Sequence, residues 1–112
     1  MAPDLKIENG FATALYAGGG FQLIKRGALE RMIAAYPETK YSLAHTYPRV
    51  AHQSSNQYAL FDCMIEPGTH IYLSEDFAFC RRWRQLGGKL WLDTQSRLGH
   101  IGTYRFEGNP AT

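Results

Sequence analysis

The sequence is poor in the features that usually place a small protein at once. It holds two cysteines in 112 residues, too few for the disulfide framework of a small secreted domain. It has no apolar run near the roughly 20 residues that cross a bilayer as a helix, and no secretory leader at its start. Net charge is only +2, with acids and bases interleaved, so the basic stripe of a nucleic-acid-binding protein is missing. Internal repeats are absent, and His45, His52 and His70 do not stand at zinc-ligand spacing from one another or from His100. These absences lead to the expectation of a cytoplasmic protein with no nucleic-acid partner and no transmembrane segment; peripheral attachment to a membrane is the lesser alternative. Cys63 and Cys80, with Phe61, Met64 and Phe79 close by in sequence, are expected to be reduced, buried, small hydrophobes.

What is present is a globular composition. Hydrophobic residues make up 45% and charged residues 20%, which suits one folded domain over residues 1–112. Aromatics reach 13%, including seven Tyr, more than a core of this size needs, and they suggest a binding or association surface as well.

Along the chain, Glu8-Asn9-Gly10 reads as a turn and Phe11–Tyr16 as a strand, followed by Ala17 and the triple glycine Gly18, Gly19, Gly20. Phe21–Lys25 is apolar and strand-like. Leu29, Met32, Ile33 and Tyr36 fall at helical spacing within Gly27–Tyr36, and Pro37 ends that helix. Residues 38–57 read as a long surface loop. Tyr58–Ile65 reads as a strand and Glu66–Thr69 as a turn.

The richest stretch comes next. Ser74 is a suitable N-cap, able to accept from the free N–H groups of a first helical turn. Glu75 and Asp76 stand in that turn, where the helix dipole favours negative charge. Phe79, Trp83 and Leu86 give the helix an apolar face, and Arg81, Arg82 and Arg84 are expected on its solvated side. Gly87 and Gly88 stop it, and Lys89–Asp93 alternates like a strand. The segment Ser96–Gly102 carries His100 between Gly99 and Gly102 and should be extended.

Three places invite chemistry, each with a plain alternative. The triple glycine does not lead into a helix, so it makes a poor phosphate cradle; it suits either close backbone approach to a sugar or tight packing. His100 is uncrowded and suits a metal ligand or proton shuttle, but it has no partners at ligand spacing. Glu75 and Asp76 are either helix caps or a working pair, one acid binding a hydroxyl while the other takes its proton.

Three segments, in order, resemble the C-terminal half of a GT-A-fold glycosyltransferase of the family-2-like type. Ala17–Met32 looks like the glycine-containing strand and helix beneath donor sugar and acceptor. Leu73–Gly88, with Ser74-Glu75-Asp76, is similar to the family's acidic "xED" helix. Arg97-Leu-Gly-His-Ile-Gly102 resembles a late segment whose histidine is a metal ligand in many such enzymes. The matches span roughly residues 15–107.

The resemblance implies an α/β fold with a small mixed sheet of about four or five strands and two main helices. It implies inverting transfer from a nucleotide-sugar to a glycan acceptor, with Asp76 as general base, Glu75 and Gly18–Gly20 on the acceptor side, and His100 toward a Mg²⁺ or Mn²⁺ ion. The family's nucleotide-binding half and its metal-gripping Asp-x-Asp have no counterpart, since no Asp-x-Asp occurs in the sequence. The chain therefore reads as half an active site: a fragment of a longer enzyme, a truncated product turned self-standing module, or one of two polypeptides. The isolated chain is expected to need no cofactor and to show no turnover. A homodimer, or a partner covering an exposed sheet edge, is expected. The rival reading is a non-catalytic carbohydrate-binding or homo-oligomeric module displaying Tyr41, Tyr47, Tyr58 and Tyr104.

Overall fold

Short-range hydrogen bonding decides the N-terminal layout. The computed structural model describes residues 5–42 and 55–108. β1 (Ile7–Glu8) and β2 (Phe11–Ala14) form a hairpin closed by Asn9 and Gly10, both at positive φ (52° and 81°). That is the backbone a tight hairpin demands and Asn-Gly supplies. β2 is central: its other edge pairs antiparallel with β5 (Leu90–Asp93), from Phe11 opposite Asp93 to Ala14 opposite Leu90. Thr94 closes the end of this sheet, its backbone N–H and its hydroxyl both donating to the Gly10 carbonyl.

Two helices carry the core. α1 spans Arg26–Ala35, with a short 3₁₀ turn at Pro37–Thr39 beyond it, where proline prevents continuation. α2 spans Glu75–Gln85. Met32 of α1, Phe79 of α2 and Leu60 form the buried centre, with Ile24, Leu29, Ile33, Tyr36, Tyr58, Trp83 and Leu86 packed around it. Phe61 stacks nearly parallel on Phe79 at 4.2 Å. The helices are also tied by polar bonds: the Tyr36 hydroxyl donates to the Arg82 carbonyl at 2.7 Å, and the Arg31 guanidinium donates to the Leu86 carbonyl at 2.9 Å. Burial raises the Tyr36 pKa above its usual value, which keeps that phenol a donor.

α2 ends as its glycines suggest. Gly87 has φ +84°, its N–H bonds the Arg84 carbonyl, and the Gly88 N–H bonds the Trp83 carbonyl. This nested pair is a Schellman stop. The Trp83 indole lies directly over Gly88, where any β-carbon would overlap it, and its Nε1–H donates to the Lys89 carbonyl.

The remaining strands form two hairpins: β3 (Met64–Ile65) with β4 (Tyr72–Leu73), and β6 (Gly99–Ile101) with β7 (Arg105–Glu107). The architecture is thus a small α/β protein with two main helices, but among the described residues the expected single mixed sheet is replaced by three small sheets. Every ladder among the described residues is antiparallel, because the paired strands are joined by hairpins or return from opposite directions.

Four local expectations also change. Phe21–Lys25 is not a strand; among the described residues it pairs with none, Leu23 is 97% exposed, and Lys25 is the N-cap position of α1. Tyr58–Ile65 is a strand only at its end, beyond an isolated bridge of Tyr58 with Lys40. Arg82 takes the Leu60 and Asp62 carbonyls at 2.8 and 2.7 Å, so a side chain replaces the neighbouring strand there. Cys80 is buried as expected, whereas Cys63 is exposed. The arginines are not a solvated face: Arg81 pairs with Glu66 at 3.5 Å, both side chains about four-fifths buried (22% and 20% exposed), and Arg82 and Arg84 pack inward. The expected loop over 38–57, with His45, Tyr47 and His52, lies mostly outside the described residues.

The Schellman stop makes a prediction. Gly87→Ala places a β-carbon on a left-handed backbone and should cost about 1–2 kcal/mol in urea unfolding. Gly20→Ala, with nothing within 4 Å of its β-carbon position and no positive φ, should leave the midpoint unchanged.

Candidate functional site

The segment after β2 lies along α2. Three helix residues four apart face it in turn: Asp76, Cys80 and Arg84. The Asp76 carboxylate accepts from the Gly19 N–H, the Cys80 thiol donates to the Ala17 carbonyl, and the Arg84 guanidinium lies 4.7 Å above the Tyr16 ring. The i, i+4, i+8 spacing makes this one ridge of the helix. As the strand segment advances from Tyr16 to Gly19, its partners move back toward the helix N-terminus. Tyr16 is further held by stacking on Phe77 (4.7 Å, 25°), and its hydroxyl lies 3.4 Å from Glu66 Oε2. Glu66 also holds Thr69 and Arg81.

This docking brings the triple glycine to the acidic turn. Gly19 N donates to Asp76 Oδ2 at 3.1 Å across 57 residues of sequence. A β-carbon on Gly18 would stand 3.7 Å from Asp76 Oδ2, and one on Gly19 would stand 3.6 Å from Asp76 Cβ. Both are ordinary contacts, so these glycines are not demanded by crowding; their bareness leaves the carboxylate approachable. Gly20 is open on all sides.

Asp76 is half-buried, and its two oxygens differ. Oδ1 accepts from the Ser74 hydroxyl (3.0 Å) and from the Phe77 N–H (2.8 Å), whereas Oδ2 accepts from Gly19. A carboxylate offers about four acceptor positions, so among the described residues Oδ2, on the glycine side, is the less occupied oxygen. The Ser74 hydroxyl is the main cause holding the Asp76 pKa below its ordinary 3.8, with the Gly19 and Phe77 N–H groups adding to it against a partial desolvation. Asp76 is therefore ionised at neutral pH.

Ser74 occupies the N-cap position with an extended backbone, but its hydroxyl makes no cap bond to the helix; it donates to Asp76 instead. The capping expectation is corrected in that detail: Asp76 itself receives a first-turn N–H, that of Phe77, and Ser74 supports Asp76. Tyr16 did not stand out in the sequence, and Ser74 stood out only as a cap; its role beside Asp76 has a signal in Ser74-Glu75-Asp76, a hydroxyl two residues before an acid at a helix start.

Glu75 is exposed and makes no hydrogen bond or ion pair among the described residues. His100 sits on β6, exposed, edge-on to Phe106 at 6.0 Å within its own hairpin. No group of three or more His, Cys, Asp or Glu side chains among the described residues is arranged to hold a metal ion. The structure thus brings Gly18 and Gly19 beside Asp76, with one hydrogen bond from Gly19, and among the described residues records no side-chain contact of Glu75 or His100 with them. Of the aromatic residues expected at a surface, Tyr41 and Tyr58 flank an open pocket of about 380 Å³ with Phe61 and Asp62, while Tyr104 packs edge-on against Phe106. Burial pushes the Cys80 thiol pKa up, which keeps it a neutral donor to Ala17 and unsuited to nucleophilic work.

No protein-family model, no curated protein and no solved structure matches the chain. No helix among the described residues is long and apolar enough to cross a membrane.

The carboxylate's partners set a pH dependence. Asp76 has a folded pKa below the 3.8 it takes when unfolded, so its stabilising contribution is complete above about 3.8 and disappears as pH falls through the folded value. Thermal melts of the wild type from pH 6 downward should show a drop below pH 4 that is smaller in Asp76→Asn; identical pH profiles would show that the hydrogen bonds to Asp76 carry no stability.

Proposed function

We propose that the chain forms the acceptor-side half of a glycosyltransferase-like active site, with Asp76 as the general base. The observation that carries this reading is the meeting of Gly18–Gly19 with Asp76 Oδ2. It joins two segments on which the GT-A resemblance rests, and among the described residues leaves Oδ2, beside the bare glycines, the less occupied oxygen.

In this reading a sugar hydroxyl donates to the open position of Oδ2 while Glu75, next to Asp76 in the first helical turn, binds a neighbouring hydroxyl. As the hydroxyl oxygen attacks the anomeric carbon of the donor sugar, its proton passes to Asp76 and the nucleoside diphosphate departs from the opposite face. The low pKa of Asp76 ensures that it is ionised beforehand. It also weakens the pull on the proton, so transfer falls late, when the attacking oxygen has become acidic. The donor sugar, its nucleotide and an Mg²⁺ or Mn²⁺ ion belong to a half of the site that carries an Asp-x-Asp. The described residues do not make a divalent-cation site, and His100 serves as a ligand in this scheme only beside that other half.

The test uses the chain as it is. Chitotriose, cellotriose and maltotriose are titrated into labelled protein and followed by amide chemical shifts. The expected outcome is a cluster of shifts at Gly18, Gly19, Gly20, Glu75 and Asp76 with at least one sugar, weakened about tenfold or more by Asp76→Asn, as loss of a charge-assisted hydrogen bond implies. Shifts centred elsewhere, or none with any of the three, would remove the acceptor-site reading.

A second reading, self-association, is favoured by the surface. Only Ala12, Met32, Leu60, Leu73, Ala78, Phe79 and Cys80 are buried among the described apolar residues, while Phe21 and Ile101 are each 80% exposed. β5 has no partner on its outer edge among the described residues, and Trp91 and Leu92 there are more than 40% exposed. An open apolar edge of this kind invites another strand. Light scattering should give twice the 12.7 kDa chain mass, and Leu92→Lys should return it to one. A monomer at high micromolar concentration would exclude β5-edge pairing.

A further inference from the structure

The far end of α2 carries a second site that the acceptor reading does not use. Arg84 stands two turns beyond Asp76, about 12 Å along the helix axis at 1.5 Å per residue. There it lines an open pocket of about 510 Å³ between β2, β5 and the segment leading into β1. That volume falls within the roughly 300–1,000 Å³ of ordinary small-molecule sites. Its walls combine Leu5, Leu15 and Leu90 with three cations, Lys6, Arg84 and Lys89, and no acidic side chain among the described residues lines it.

None of the three cations forms an ion pair among the described residues. Arg84 rests on the Tyr16 ring, and its Nε is buried without a hydrogen-bond partner. A buried guanidinium N–H left unpaired is unusual, because such groups normally find an acceptor. The pocket therefore combines three lining cations, a buried guanidinium N–H without a hydrogen-bond partner, and apolar walls. An inorganic anion would leave the leucines bare, and an uncharged hydrocarbon would leave the cations unpaired.

We propose that this pocket binds a small amphiphilic anion of the fatty-acid type, its carboxylate received by Arg84, Lys6 and Lys89 and its hydrocarbon body laid against Leu5, Leu15 and Leu90. Arginine suits the head group because its planar fork matches the two oxygens of a carboxylate. The site is independent of Asp76, so it stands or falls separately from sugar transfer.

Isothermal titration with octanoate, octanol and acetate tests it on the intact chain. Octanoate should bind saturably with one site per chain and weaken as salt is added. Octanol and acetate should each bind at least tenfold more weakly. Lys89→Gln, at an exposed position, should weaken octanoate several-fold, and Arg84→Gln should weaken it by tenfold or more. If Arg84→Gln fails to fold by circular dichroism, Lys6→Gln combined with Lys89→Gln replaces it, with the same tenfold loss expected. Octanol binding as tightly as octanoate, octanoate binding unaffected by these charge removals, or no saturable binding would each overturn the proposal.

Discussion

The contact between the Tyr16–Gly19 segment and one ridge of α2 is the constraint from which the rest of the molecule follows. It is made of unlike parts: a charged hydrogen bond at Gly19, a thiol–carbonyl contact at Ala17, and a ring held between Phe77 and Arg84 at Tyr16. Through it, a sheet with little burial of its own is fastened to the helix pair whose packing forms the core. Phe79 and Trp83 on α2 face that core while Asp76, Cys80 and Arg84 face the segment. The same helix therefore builds the interior with one face and displays both candidate sites with another. The two sites lie at its opposite ends, an acid supported by N–H and O–H donors at the start and an unpaired cation near the finish. The helix dipole favours this order, with negative charge at the N-terminus and positive charge at the C-terminus.

The economy of the core gives the surface its meaning. Three side chains, Met32, Leu60 and Phe79, make the buried centre, while large apolar side chains such as Leu5, Ile7 and Leu23 are at least 70% exposed. Apolar surface on this scale marks places where something else binds.

Much of this was legible in the sequence, and the reasons differ by element. α2 was readable end to end, because an acidic first turn, an apolar stripe and a glycine pair agree at three levels. α1 was readable from its periodicity and Pro37, and β5 from its alternation. Phe21–Lys25 misled because a short apolar run is strand-like without showing that a partner strand exists. Tyr58–Ile65 misled because Arg82 supplies bonds that a strand would have supplied, and no local pattern announces a side chain 20 residues away. Asn9-Gly10 was read as a turn, yet β1 before it went unread because two residues are too few for periodicity. At the candidate site, the glycines and Asp76 were each visible, but no local pattern announced their meeting across 57 residues. The inward roles of Arg81, Arg82 and Arg84 were hidden, since charge on a helix usually means solvent.

The central claim is that the glycine segment and the acidic turn are one unit joined through the Asp76 carboxylate. A pH titration followed by nuclear magnetic resonance tests it most directly, with the Asp76 carboxyl carbon and the Gly19 and Phe77 amide protons observed together. The account predicts a single midpoint below 3.8 for all three, with both amide protons moving downfield as the carboxylate forms. A Gly19 amide proton that ignores the ionisation of Asp76 would contradict it, because the two segments would then not meet at that bond.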